Sequence, residues 1–159
     1  MRKLVACFML LLVGACGGEA TDPVAAESER IVREGYAAFA RGDMDAVMAT
    51  MSPELVWYEA EGLPIGGVYH GPQAVMENVF AMIGAEWERY ETRPERIIAS
   101  GNEVAVWGRY RGIHRESGRQ LDVPFVHIWI LEDGKLVEFH QLTDTALYNS
   151  AMGVSGTAE

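Results

Sequence analysis

The second half of the chain changes character after about residue 86, and that change limits the folds open to it. Residues 87–100, 103–116, 119–131 and 135–142 read as four long strands, rich in Val, Ile, Trp, Tyr and Phe. Short glycine-containing turns separate them: Gly101-Asn102, Ser117-Gly118 and Asp133-Gly134. Connections that short join antiparallel strands, because a parallel pair needs a crossover of about a dozen residues or more. Helical patterns precede this meander. Residues 28–41 place Ile31, Val32, Tyr36 and Phe39 at helical spacing, Gly42 stops the helix, and Asp43 caps a second one at 44–51. Residues 55–60 read as a strand and 61–69 as a Gly/Pro loop, and Gly71-Pro72 opens a third helix reaching about residue 84. A short helix at 144–152, with Asp144 as its cap, ends the pattern. Helices followed by a meander predict an α+β fold, in which N-terminal helices pack on a strongly curved antiparallel sheet.

The strand at 123–131 sets a second constraint. Phe125, His127 and Trp129 fall on one face and Val126, Ile128 and Ile130 on the other. Both faces are apolar enough to need covering. Helices cover one. A second copy of the chain is the expected cover for the other, giving a homodimer through the outer sheet face.

The chain has 159 residues, enough for one ordinary domain, and a formal charge of −10, which excludes a phosphate-binding footprint and predicts no nucleic-acid partner. Its start reads as an address. Arg2 and Lys3 precede ten uncharged residues, LVACFMLLLV, too few to span a bilayer. Val13-Gly14-Ala15-Cys16 then resembles a bacterial lipobox, which implies cleavage at 1–15 and lipidation of Cys16. Gly17 at the following position implies a lipid anchor in the outer membrane, facing the periplasm of a two-membrane bacterium. Residues 16–26 then form a lipidated tether, 27–152 the domain and 153–159 a flexible tail. Cys7 leaves with the signal and Cys16 carries lipid, so no disulfide, thiolate zinc site or catalytic thiol is expected.

Within the domain, Gly42-Asp43 with Ala46, Trp57, His70-Gly71, Trp129 beside Glu132-Asp133-Gly134-Lys135, and Thr143-Asp144-Thr145 occur in an order that resembles the SnoaL-like branch of the nuclear-transport-factor-2-like superfamily. That cone-shaped fold also carries ketosteroid isomerase, and it hosts enzymes and binders alike, so it does not fix function.

A two-residue Ser117-Gly118 turn sets Tyr110 opposite Phe125, Gly108 opposite His127 and Gly112 opposite Val123, and glycines facing large residues leave open volume. The next turn admits two registers. A two-residue Asp133-Gly134 turn sets His127 against His140 and Trp129 against Glu138. A three-residue loop with a glycine bulge sets His127 against Phe139 and Phe125 against Gln141. The second is preferred because it turns Glu138 and His140 away from the core, where a cluster of two imidazoles and a carboxylate is costly without a metal. Two cross-strand histidines without a third ligand make a poor metal site, and none is expected. The expected pocket is lined by Trp57, Glu59, Tyr110, Phe125, His127, Trp129, Phe139 and Gln141, with Tyr36 reaching it from the first helix. An aromatic hollow with few polar groups suits a small hydrophobic molecule.

The resemblance to ketosteroid isomerase puts Glu59 where that enzyme keeps its carboxylate base and His127 where it keeps an acid; its tyrosine donor has no clean match, Tyr36 lying one position off. It implies cofactor-free isomerase or lyase chemistry, with Glu59 and His127 catalytic. Gln141 stands where the SnoaL-type cyclases carry an acid, which weakens a cyclase reading. The alternatives are a lipoprotein that binds a ligand without chemistry, and a dimeric adaptor.

Overall fold

The computed structural model describes residues 22–154. The expected signal peptide at 1–15, the lipidation site Cys16, tether residues 17–21 and tail residues 155–159 lie outside the described residues. Asp22 starts the first helix, α1 (Pro23–Ala40): its carboxylate accepts the Val24 N–H at 2.9 Å, and Pro23 fills the first turn, where its missing N–H costs nothing. The same carboxylate accepts the Gly101 N–H at 3.2 Å, which ties the helix start to the sheet. The helix therefore begins earlier than its apolar spacing predicts, and residues 23–26, expected in the tether, belong to it.

Gly42 takes a φ of +74°, and Asp43 accepts the Ala46 N–H to cap α2 (Met44–Ala49). The strands β1 (Met51–Glu59) and β2 (Gly67–His70) follow. The third helical stretch is α3 (Gly71–Val75), a π-helical turn (Met76–Phe80) and α4 (Ala81–Glu86). Then come β3 (Trp87–Ser100), β4 (Glu103–His114), β5 (Gln120–Glu132) and β6 (Lys135–Thr143), and finally α5 (Thr145–Met152), capped by Asp144. The strands form one curved sheet in the order β2-β1-β6-β5-β4-β3. β1 runs parallel to β6, and every other neighbouring pair is antiparallel. The α+β fold is the expected one. β2 is an addition: it occupies part of the expected loop, an edge strand of four residues without a distinctive pattern.

Two registers differ from expectation, each for a local reason. The β4–β5 connection is wider than two residues: Gly118 N–H bonds the His114 carbonyl, and His114 N–H bonds the Arg119 carbonyl. Pairing moves by two, so Tyr110 lies opposite Val123, Gly108 opposite Phe125, Val106 opposite His127 and Gly112 opposite Leu121. At the next turn, Asp133 and Gly134 both adopt positive φ, 49° and 73°, in a two-residue hairpin that pairs Glu132 with Lys135. An irregularity between Ile130 and Leu131 then shifts the pairing, so His127 faces Gln141 and Trp129 faces Phe139. Neither expected register occurs. The preferred parity survives through a bulge in the strand pair instead of in the loop, and Glu138 and His140 do lie on the outer face with Ile130 and Ile128.

The core lies between the helices and the inner sheet face. Leu55, Val75, Val79, Val104, Val106, Phe125 and Phe139 are buried there almost completely.

Candidate functional site

Alternation along the strands aims side chains from four of them into one space. β1 supplies Trp57 and Glu59, β4 supplies Tyr110, β5 supplies His127 and Trp129, and β6 supplies Phe139 and Gln141. Tyr36 enters from α1. Together they border a hollow of about 600 Å³ of space free of atoms, part of it open to solvent. The residues expected around the pocket are thus brought together, with one exception. Phe125 does not line the hollow. Its ring stands behind the wall, stacked on His127 at 4.1 Å and tilted against Tyr110 at 4.6 Å. The register explains this: Phe125 is opposite Gly108 and fills the volume expected to stay open, so that a Cβ at Gly108 would come within 2.6 Å of it.

The sequence reading missed part of the wall. Phe39 from α1, Val79 and Phe80 from the π turn, Ile83 from α4, and Tyr90 and Thr92 from β3 also line the hollow. Tyr90 and Thr92 alternate with Arg89, Glu91 and Arg93, a period-two signal inside a charged strand that marks an inward face. The widened turn at Met76–Phe80 left no sequence signal, although such turns gather at functional sites.

Glu59 is 4% exposed. Its Oε2 accepts the Trp57 indole N–H at 2.8 Å, while its Oε1 is buried and has no partner among the described residues. Burial favours the neutral acid, and the Trp57 and Gln141 side chains offset it only in part, so the carboxyl is pushed up to about 7. A carboxyl poised there serves as base or acid near neutral pH.

His127 is 5% exposed, and burial pulls it down to about 3, so its imidazole is neutral. Both ring nitrogens are engaged: Nδ1 with the Tyr36 hydroxyl at 2.6 Å and Nε2 with the Tyr110 hydroxyl at 2.5 Å. No nitrogen is left for a bound molecule, so His127 can reach one only through a tyrosine. Its partners are these two phenols. The Trp129 indole donates to the Tyr36 oxygen at 3.2 Å, and Gln141 Nε2 donates to the Tyr110 oxygen at 2.6 Å. Burial raises both phenols well above the usual range and keeps them protonated. The aromatic wall is tight elsewhere, with Trp57 stacked on Phe139 at 3.7 Å.

Comparison with known proteins adds context to this geometry. The sequence profile described as the SnoaL-like domain matches residues 32–139. Patulin synthesis protein F of Aspergillus clavatus is 27% identical over 84 residues, 52% of this chain; the match spans 42% of that protein, well under two thirds of its length. Among solved structures, a nuclear-transport-factor-2-like protein of Burkholderia thailandensis is 36% identical with a TM-score of 0.76, covering 79% of this chain and 96% of that one. The structure of TerC co-crystallized with polyporic acid superposes with a TM-score of 0.73 at 23% identity, over 80% of this chain and 98% of that one, a likeness of fold alone.

Proposed function

The chain belongs to the family of SnoaL-like domains, and from that premise we propose that it takes a small, mostly apolar carbonyl compound into the hollow and moves a proton on it, with Glu59 as the base. The observation that carries this reading is the unpartnered Oε1 of Glu59, buried at the hollow. Natural folds leave few polar atoms orphaned, and an orphan in a pocket suits a group completed by its ligand.

The step needs no oxidant or metal. Ionised Glu59 takes a proton from carbon beside the carbonyl, the C–H pair becomes a C=C bond, and the carbonyl π pair moves onto oxygen. Return of that proton to a conjugated carbon completes an isomerisation; loss of a β leaving group completes an elimination. One similar protein is named for patulin synthesis and TerC was co-crystallized with polyporic acid, both small organic compounds, which agrees with the proposed ligand class.

The cellular setting belongs to the same proposal. A lipid on Cys16 holds the domain at the outer membrane, facing the periplasm, by the lipobox reading of residues 13–16. A second copy covers the outer sheet face, where Trp107, Val126 and Leu142 stand exposed.

The test is deuterium exchange at the carbon beside the carbonyl of 1-tetralone in heavy water. The wild-type protein is expected to accelerate it, and Glu59→Gln to lower the acceleration about 10²–10⁴-fold while 1-tetralone still binds. Binding without acceleration in the wild type favours the non-catalytic ligand-holding reading, and no binding favours the adaptor.

A further inference from the structure

The hydrogen-bond chain at the hollow holds more donors than its links can use, and the surplus can be counted. Gln141 is fixed one way round: its Oε1 accepts the Ala60 N–H at 3.1 Å, so its Nε2 donates to the Tyr110 oxygen. The Trp129 indole can only donate, and it donates to the Tyr36 oxygen. Between these ends lie two links, Tyr110 to His127 Nε2 and His127 Nδ1 to Tyr36. Two links need two protons. Two phenols and a neutral imidazole supply three, so one phenolic proton is left over.

Burial decides which one. A proton on Nε2 makes the Tyr110 oxygen accept from both Nε2 and Gln141, and strands its own hydroxyl hydrogen. Tyr110 is 2% exposed, and among the described residues its hydroxyl meets only His127 and Gln141. A buried donor without an acceptor is strongly disfavoured. A proton on Nδ1 moves the surplus hydrogen to the more exposed of the two phenols that line the hollow. Tyr110 donates to Nε2, Tyr36 accepts from Nδ1 and Trp129, and the surplus hydrogen sits on Tyr36, a partly exposed residue at the hollow.

We infer that His127 is a positioning residue held as the Nδ1–H tautomer, which leaves the hydroxyl hydrogen of Tyr36 as the donor presented to the bound molecule. The ligand then carries an acceptor oxygen at Tyr36, and His127 never touches it. This deepens the pocket reading above and rests on it for the ligand, while the tautomer stands on the hydrogen-bond geometry around a neutral imidazole.

Long-range proton–nitrogen correlation spectra of the ¹⁵N-labelled protein test the tautomer, with the His127 signals assigned by their loss in His127→Gln. A protonated Nδ1 and a bare Nε2 are expected; a proton on Nε2, or on both, overturns the inference. Calorimetric titration with 1-tetralone and with tetralin, the same skeleton without the carbonyl, tests the donor. The wild type is expected to prefer the ketone about 3–10-fold, the range of one ordinary hydrogen bond, and Tyr36→Phe to abolish that preference. An unchanged preference, an equal loss for both probes, or binding of neither overturns the assignment of Tyr36. An exchange experiment that fails for Glu59→Gln leaves the tautomer result standing, and an Nε2–H tautomer leaves the Glu59 chemistry standing, so the two failures are distinguishable.

Discussion

Each face of the sheet carries a histidine and a carboxylate, and the two neighbourhoods behave differently. On the outer face, Glu138 and His140 bond one another at 2.6 Å, His140 stacks on Tyr58 at 4.4 Å, and both side chains are more than a third exposed. On the inner face, Glu59 and His127 are almost fully buried and do not bond each other; Tyr36 and Tyr110 satisfy both nitrogens of His127, whereas Trp57 reaches only Oε2 of Glu59 and leaves Oε1 open. The same residue types give a solvated hydrogen-bonded pair where water reaches them, and a poised carboxyl beside a neutral imidazole where it does not. Burial, more than residue identity, makes the inner pair a chemical site.

Packing offers the largest effect with which to break that contrast. Phe139→Ala empties a position 1% exposed and is expected to cost about 3–5 kcal/mol, whereas Leu142→Ala, 55% exposed on the outer face of the same strand, should leave the monomer's stability within about 0.5 kcal/mol. Urea unfolding of both variants checks this, and similar losses at the two sites remove the distinction between the faces.

Protonation comes next. Glu59 is raised from 4.5 to about 7, so its contribution to stability is present below pH 4.5 and lost as pH rises through about 7. His127 is lowered from 6.5 to about 3, so its contribution is present above pH 6.5 and lost as pH falls through about 3. From pH 4.5 to 6.5 the two slopes oppose each other, and these residues leave wild-type stability nearly flat. Glu59→Gln removes one slope, so the variant should gain stability relative to wild type by about 3 kcal/mol between pH 4.5 and 7. Unfolding curves at several pH values measure this difference, and a constant offset contradicts it.

The proposed partner on the outer face predicts a middle-sized effect. Trp107→Asp, at a residue 55% exposed, should shift a dimer to monomers in sedimentation without lowering the monomer's stability by more than about 1 kcal/mol. A wild-type monomer contradicts the proposed covering. The smallest effect belongs to the exposed pair: Glu138→Gln should change stability by no more than about 1 kcal/mol, since pairs this open to water contribute little.

How far the sequence carried can be seen residue by residue. Gly42-Asp43 marked a helix junction because the positive φ and the capping carboxylate are local devices, legible without tertiary context. The common face of His127 and Trp129 followed from alternation alone. Facing partners were harder. The loop from His114 to Arg119 is wider than its Ser117-Gly118 signal implies, and the shift between Ile130 and Leu131 has no turn residue to announce it. Those two features moved Phe125 from the hollow to the wall behind it. The engagement of both His127 nitrogens depends on an α1 side chain meeting β5 across 91 positions of sequence, which no local pattern encodes.

Titration of the Glu59 carboxyl, followed by ¹³C NMR on protein labelled at glutamate and assigned by Glu59→Gln, tests the central claim most directly. A midpoint near 7 is the expected result; one near the ordinary 4.5 would show a solvated carboxylate and contradict the account of the inner face.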